Sequence, residues 1–186
     1  MAFMISAAER LDASWLRDDA LAESARLGNA TAFAELTTRH RDAIYIIARN
    51  LCRTDHETEE ILEKALLTAW RALASFPPGA RFTTWLYRIV TRTALSHPGR
   101  ARPAHVECRS SQPMDVAGVL RDVLECIDDR RRAAFVLCDL LELLPEETAV
   151  ILDTSPREVR RDVHDARLLL RDLVERMSSP FRQASR

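Results

Sequence analysis

Hydrophobic residues recur every three or four positions along most of the chain, the period of an amphipathic α-helix. One such stripe consists of Phe33, Leu36, His40, Ile44, Ile47 and Leu51, and a second of Ile61, Leu62, Leu66, Ala69 and Leu73. The segment Phe76–Phe82 (FPPGARF) interrupts the pattern, because two prolines and a glycine do not continue a helix. A further helix is predicted from Thr83 or Thr84. No run alternates with period two between turn residues, so the pattern predicts an all-α fold.

The segment 97–115 (HPGRARPAHVECRSSQPMD) has no apolar period and contains three prolines, a glycine and two serines. This composition is typical of a linker. The sequence therefore predicts two small helical domains, residues 1–96 and residues 116–178, joined by a flexible linker at 97–115. A short tail follows at 179–186.

The C-terminal part of the chain has the pattern of a helix-turn-helix. Pro145–Leu152 is predicted to be a short helix that begins with a proline, and Asp153 starts the turn. Ser155 is a strong N-cap candidate, Pro156 suits the first helical position, and Glu158 completes a Ser-x-x-Glu capping box. A helix, a brief turn and a sharply capped second helix together indicate a helix-turn-helix.

The second helix of this pair sorts its residues into three sectors at about 100° per residue. The apolar sector holds Val159, Val163, Ala166, Leu170 and Leu173; the basic sector holds Arg157, Arg160, Arg161, His164, Arg167 and Arg171; the acidic sector holds Glu158, Asp162, Asp165 and Asp172. The basic edge starts at the helix N-terminus, where a recognition helix contacts DNA. A surface helix with many ion pairs is the alternative interpretation.

Charge is unevenly distributed, although the whole chain has a net charge of −1. Residues 77–112 contain six arginines against the single acid Glu107, a local charge of +5. Within them, Arg81–Leu95 (RFTTWLYRIVTRTAL) combines three aromatics with three arginines and no acid. Such a segment attracts a polyanion, and a solvated basic face is the alternative.

The remaining chemistry argues against an enzyme. With 47% apolar and 30% charged residues the composition suits a soluble globular protein, and four glycines leave little room for a phosphate-binding loop. His97, His105 and Cys108 are too few and too loosely placed for a metal site, so neither metal nor cofactor is expected. No segment suits a membrane span or a secretory signal, so we expect a cytoplasmic protein whose four cysteines remain thiols.

At this point the residues resemble a family. RFTTWLYRIVTRTAL resembles the "F-x-T-W-L-Y-R-I" motif of the extracytoplasmic-function (ECF, group 4) sigma factors of bacterial RNA polymerase. AFAELTTRHRDAIYIIARNLC and ETEEILEKALLTAWRALASF resemble two helices of the sigma-2 domain, and LLELLPEETAVILDTSPREVRRDVHDARLLLRDL resembles the sigma-4 helix-turn-helix. Three matches in the family's order, with a linker between them, are far more specific than any one alone.

The resemblance implies a chain that binds core RNA polymerase and promoter DNA, with an anti-sigma factor as the expected regulator and no membrane insertion. By this likeness the −10 element is contacted by Arg81, Thr84, Trp85, Tyr87, Arg88 and Arg92, and the −35 element by Ser155, Arg157, Arg160, Arg161, His164 and Arg167. The polymerase-binding candidates are Glu59, Glu60, Glu63 and Lys64. Rings would stack on exposed bases and arginines would neutralise the backbone. Trp85 is alternatively a core residue, whereas Tyr87 and Arg88 are expected to be exposed.

Several positions depart from the family's pattern. Glu63 and Lys64 stand where the family usually has an amide and an acid, and Asp153 replaces the usual glycine of the turn. Asp162 and Asp165 stand where basic residues are frequent, so weaker polymerase or −35 binding is expected. A degenerate sigma-like decoy that binds an anti-sigma factor is therefore the second hypothesis. A stand-alone helix-turn-helix repressor is a third, although it leaves the N-terminal matches unexplained.

Overall fold

The computed structural model describes residues 18–77, 79–97, 124 and 126–183, and within these ranges it contains helices and no strand. The N-terminal half consists of α1 (18–26), α2 (Ala30–Arg39), α3 (Arg41–Leu51), α4 (Asp55–Ala72) and α5 (Phe82–Leu95), with a 3₁₀ turn at Leu73–Ser75. The C-terminal half consists of α6 (Asp129–Phe135), a π-helical turn (Val136–Leu140), α7 (Pro145–Leu152) and α8 (Pro156–Gln183). The all-α prediction is confirmed.

Polar side chains set the helix boundaries. The Asn29 side chain accepts hydrogen bonds from the first turn of α2, and Thr54 forms a capping box with Glu57 at the start of α4. The first predicted hydrophobic stripe belongs to two helices and not to one. The backbone of His40, between α2 and α3, is not helical. Its Nε2 atom lies 2.9 Å from Oδ2 of Asp18, which fixes α1 against this junction. Arg39 Nη1 also donates to the buried Asp18 carboxylate, at 3.0 Å.

The main core lies between α3, α4 and α5. Its largest fully buried side chains in this half are Leu36, Ile47, Leu51, Ile61, Phe82, Leu86 and Val90. The same cluster contains Ala133, Leu137 and Ile151 from the C-terminal half. The two predicted domains therefore pack against each other in this structure, with α7 lying against α5 and α6 against α3.

The C-terminal half has the predicted helix-turn-helix. α7 ends at Leu152, and Asp153 adopts a left-handed conformation with φ 58° and ψ 50°. Asp tolerates this conformation better than most residues, which explains how it replaces a glycine. Ala134, Ala149, Val159 and Val163 form the small core between α6, α7 and α8.

The cysteine prediction is wrong at one position. Cys52 and Cys138 form no disulfide, and burial raises the pKa of Cys138. Cys126, however, is disulfide-bonded. Spacing along a chain does not determine which thiols meet in the fold, so the sequence did not indicate this bond. Most of the predicted linker, including His105 and Cys108, lies outside the described residues.

Candidate nucleic-acid interface

Helix α5 carries the basic-aromatic segment. Arg81 is the N-cap residue, and the helix begins at Phe82, one residue before the predicted start. Arg81, Arg88 and Arg92 are separated by seven and four positions, so they lie on one side of the helix. Arg81 and Arg92 are exposed, and Thr84 and Arg88 are partly exposed. This side presents three guanidinium groups over about three helical turns.

Tyr87 does not lie on that side, and the expectation that it is exposed is wrong. It is 7% exposed, and its ring centroid lies 6.1 Å from that of His40. Burial, with a smaller contribution from the charge of Asp18, raises the pKa of Tyr87 to about 12. The cause is the packing of α5 on α3 and the His40 junction, which turns Tyr87 inward. Tyr87 therefore packs in the core beside His40 and helps to hold α5 in place.

Trp85 belongs to an aromatic cluster at the start of α5. Its ring centroid lies 5.3 Å from that of Phe76 and 5.7 Å from that of Phe82. The side chain is only partly buried and packs against the main core. Trp85 is therefore partly a core residue, because one part of its ring packs against the main core. The rest of the ring is accessible and could contact DNA.

The loop before α5 borders a cavity of about 230 Å³. Its lining residues are Asp18, Asp19, Gly79, Arg81, Phe82 and Thr83. Gly79 has a φ of +75°, a conformation that other residues rarely adopt, and nothing lies within 4 Å of the position a Cβ would take. The sequence did not indicate that Asp18 and Asp19 of α1 line this cavity.

Two of the three arginines on α5 are paired with acids of the C-terminal half. Arg81 Nη1 donates to Glu147 of α7, and Arg88 Nη2 donates to Asp153 of the turn at 3.0 Å. Arg92 makes no ion pair with any residue that the structure describes. The helix-turn-helix thus lies over the guanidinium groups that the sequence predicts to contact DNA.

The N-terminus of α8 is capped as predicted. Ser155 Oγ accepts the Glu158 backbone N–H at 3.2 Å, and the Glu158 carboxylate accepts the Ser155 N–H at 3.3 Å. Hydrogen bonds from the Thr154 hydroxyl and from the backbone and hydroxyl of Ser155 lower the pKa of Glu158 to about 2. The carboxylate therefore remains charged at the helix N-terminus, where the helix dipole stabilises it.

The basic edge of α8 is exposed, but not all of it is free of ion pairs. Arg157, Arg161 and His164 are exposed at the surface. Arg160 is paired with Glu146 of α7, and Arg167 donates two hydrogen bonds to Asp139, at 2.8 and 2.5 Å. The structure thus brings the predicted −35 residues onto one side of one helix. Arg160 and Arg167 are held by acids of other elements, and Arg161 lies 3.9 Å from Asp162.

The acidic residues of α8 face their own domain. Asp162 is 4% exposed and accepts a 2.8 Å hydrogen bond from Arg130 Nε. Asp165 lies 3.4 Å from Arg131. Arg130 also donates to the Thr154 hydroxyl at 2.7 Å, which connects α6 to the turn. These two carboxylates therefore hold α6 in place, and the strength of −35 binding stays a prediction.

The outer side of α4 carries the predicted polymerase-binding residues. Glu59, Glu60, Glu63 and Lys64 are all exposed. The same side continues with two large apolar residues, Leu67 at 47% and Trp70 at 38% exposure. The sequence did not indicate either residue for this surface, although their spacing of four and seven from Glu63 places them on the same side of the helix. An exposed surface that combines acids with large apolar side chains is suited to binding another protein.

Among the described residues, no group of three or more His, Cys, Asp or Glu side chains is arranged to hold a metal ion. Within the same part of the chain, no helix is both long and apolar enough to cross a bilayer.

Comparison with known families gives two matches in order along the chain. The model of sigma-70 region 2 matches residues 36–102, and that of sigma-70 region 4 matches residues 117–170. These regions contain α5 and the helix-turn-helix respectively. Two consecutive regions of one family, together covering more than half of the chain, define a transcription factor of the sigma-70 class.

Relatives and solved structures give a narrower class. The chain is 28% identical over 167 residues to the ECF sigma factor SigE of Mycolicibacterium smegmatis, covering 81% of this chain and 65% of that protein. It is 27% identical over 184 residues to the ECF sigma-E factor of Escherichia coli, covering 86% of this chain and 95% of that protein. The structure of CnrH bound to the cytosolic domain of CnrY is similar, with a TM-score of 0.72, 26% identity, and coverage of 86% and 97%.

A fourth similarity concerns the fold alone. The sigma factor RpoE of Bartonella quintana, in complex with the anti-sigma factor NepR, matches with a TM-score of 0.61 and 19% identity, covering 77% of this chain and 96% of that one.

The chain belongs to the sigma-70 family. Within it, the chain is an ECF sigma factor, which directs transcription initiation to promoters.

Proposed function

We propose that this chain is a cytoplasmic group 4 sigma factor that binds core RNA polymerase and recognises promoters through two separate helices. In this proposal, residues 1–96 form sigma-2, residues 97–115 the linker, residues 116–178 sigma-4 and residues 179–186 a tail. The observation that carries the proposal is the arrangement of arginines on one exposed side of α5 and one exposed side of α8. Phosphate contacts of this kind position a protein on DNA.

The −10 element is assigned to α5 and the loop before it. Arg81, Arg88 and Arg92 would follow the backbone of a separated strand, and Trp85 and Thr84 would contact bases beside the cavity at Gly79. The −35 element is assigned to the N-terminal half of α8, where Ser155, Arg157, Arg160, Arg161, His164 and Arg167 would contact duplex DNA. We assign no direct base contact to Tyr87, because its side chain is buried.

Polymerase binding is assigned to the outer side of α4. Glu59, Glu60, Glu63 and Lys64 would provide the charged contacts, and Leu67 and Trp70 the apolar ones. The polymerase supplies the catalysis, and this chain supplies the promoter choice. The Bartonella sigma factor is described in complex with the anti-sigma factor NepR, which supports an anti-sigma factor as a regulator here as well.

Transcription from genomic DNA fragments tests the proposal directly. Core polymerase with the wild-type chain should produce RNA whose mapped 5′ ends lie downstream of two recurrent sequence elements. Arg157→Ala/Arg161→Ala should reduce these products about ten- to a hundred-fold, because two lost contacts worth about 1 kcal/mol each weaken binding about thirty-fold. Arg26→Ala, which alters an exposed pair within α1, is the matched control. Start sites identical to those of core polymerase alone would contradict the proposal.

The second candidate is a sigma-like decoy that binds an anti-sigma factor without directing transcription. The observation that favours it is the pairing of Arg81 and Arg88 with Glu147 and Asp153, which leaves these arginines unavailable to DNA in the structure. In the transcription experiment a decoy gives no new start sites.

A further inference from the structure

Cys126 is disulfide-bonded just before α6, at the entrance to the C-terminal half. Leu124 and Ile127, on either side of it, are fully buried in one cluster with Ala166 of α8. The Ile127 backbone N–H also donates to the Leu124 carbonyl at 3.2 Å, which closes a turn around Cys126. Cys126 itself is only partly buried, so thiol–disulfide exchange can reach it. One end of the disulfide is therefore fixed to a packed part of the C-terminal half.

The partner of Cys126 follows from the number of cysteines in the chain. There are four, and neither Cys52 nor Cys138 forms a disulfide. Cys108 is the one that remains, and it belongs to the segment 97–115 outside the described residues. A bond between Cys108 and Cys126 connects this segment to the first residues of the C-terminal half.

We propose that Cys108 and Cys126 form a reversible disulfide, and that this bond prevents the oxidised chain from occupying the −10 and −35 elements together. Disulfides in a cytoplasmic protein are usually transient and redox-sensing. The inference rests on the proposed function, since it assumes that α5 and α8 bind the two elements of one promoter.

The bond forms by exchange with a small-molecule disulfide such as oxidised glutathione. The thiolate of one cysteine attacks a sulfur of the small disulfide, which releases one thiol and leaves a mixed disulfide. The thiolate of the second cysteine then attacks the protein sulfur of that mixed disulfide and releases a second thiol. The two cysteines lose two electrons and two protons, and the small disulfide gains them as two thiols. An excess of the reduced thiol reverses both steps.

The bond matters because it shortens the chain between the two halves. In the reduced chain, 27 residue steps join His97, which follows α5, to Leu124, and at about 3.4 Å per step they span at most about 90 Å. In the oxidised chain, the shortest covalent path takes 11 steps from His97 to Cys108 and then crosses the disulfide. This path spans at most about 45 Å.

The promoter requires a reach between these two values. The −10 and −35 elements are named by positions about 25 apart, which is about 85 Å along a duplex at about 3.4 Å per base pair. Each domain adds roughly its own radius, about 13 Å, to the reach of the connection. The oxidised chain then reaches about 70 Å and falls short, whereas the reduced chain reaches more than about 100 Å.

Peptide mapping tests the pairing without any transcription. Trypsin cleaves after arginine, which places Cys108 in peptide 101–109 and Cys126 in peptide 122–130. The folded full chain is treated with oxidised glutathione, its remaining thiols are alkylated, and the digest is analysed by mass spectrometry before and after reduction. We expect these two peptides joined to each other, with Cys52 and Cys138 alkylated. Cys126 found as a thiol, bound to glutathione or bound to a second copy of the chain would overturn the pairing.

Transcription from genomic DNA fragments tests the consequence. The oxidised chain is freed of glutathione and mixed with reduced core polymerase; its promoter-specific RNA should fall at least ten-fold, because a domain that cannot reach its element loses the advantage of linkage. Dithiothreitol should restore the RNA, and Cys126→Ser should transcribe equally in both states. Cys138→Ser is the matched control and should respond like the wild type, since a serine hydroxyl can still bond to Thr148. Equal transcription by the oxidised and reduced wild type would refute the inference.

A lengthened chain tests whether reach is the cause. Twelve glycine and serine residues inserted after Gly99 add about 40 Å to the oxidised path and leave both cysteines in place. The oxidised insertion variant should regain most of its transcription, and a loss as large as in the oxidised wild type would refute the argument from length. If the reduced wild type makes no promoter-specific RNA, the proposed function fails instead, and peptide mapping still decides the pairing.

Discussion

Replacing Arg130 with alanine should destabilise the C-terminal half by about 2 kcal/mol. The change leaves the Asp162 carboxylate, 5% exposed, without its 2.8 Å partner, and it also removes the donor to Thr154. Breaking a fully buried pair costs about 3–5 kcal/mol. We expect less here, because Arg130 itself is 50% exposed and water can reach the pair.

The assay is urea unfolding followed by circular dichroism. With a slope of about 2 kcal/mol per molar urea, the expected loss corresponds to a midpoint about 1 M lower. Glu146→Gln is the control, since the Arg160–Glu146 pair is more than half exposed on both sides and should contribute less than about 1 kcal/mol.

A compensating variant tests the physical reason. In Arg130→Ala/Asp162→Asn the buried group is no longer charged, so part of the lost stability should return. The reasoning would be refuted if Arg130→Ala unfolded like the wild type, or if Asp162→Asn brought no relief in its background.

The remaining predictions concern the core, the cap and the recognition helix. The Thr91 hydroxyl is fully buried and has no hydrogen-bond partner among the described residues, so Thr91→Val should raise the free energy of unfolding by about 1 kcal/mol in the same urea assay. The Glu158 carboxyl should titrate near pH 2 by carbon-13 NMR. Its stabilising effect, complete above pH 4.5, should be lost as the pH falls towards 2, and Thr154→Ala should raise the midpoint. Arg157→Ala/Arg161→Ala should reduce the salt dependence of duplex binding by polymerase holoenzyme, measured as a slope about 2 smaller.

The helix-turn-helix could be predicted because its determinants are local in sequence. Pro145 starts α7, Ser155 and Glu158 cap α8, and each acts within four residues of the position it fixes. The three sectors of α8 also follow from helix geometry alone. What the sequence did not indicate is which element each sector faces, so Asp162 was interpreted as a surface acid instead of the partner of Arg130.

The long-range features could not be predicted from periodicity. Arg81 and Glu147 are 66 residues apart, and no spacing rule relates them. Helix α5 packs against α3, α4 and α7, so apolar residues occur around most of its circumference and the pattern did not distinguish the buried Tyr87 from the accessible Arg88. Leu67 and Trp70 belonged neither to the predicted hydrophobic stripe nor to the predicted polymerase-binding residues, although their exposure makes them part of the α4 surface.

Binding to core RNA polymerase is the most direct test of the central claim. The purified, folded chain is mixed with sigma-free core polymerase at moderate salt and passed over a size-exclusion column. We predict co-elution in a one-to-one complex, and weaker co-elution for Leu67→Ala, whose side chain is exposed. Separate elution of the folded wild-type chain would contradict the account and favour the decoy.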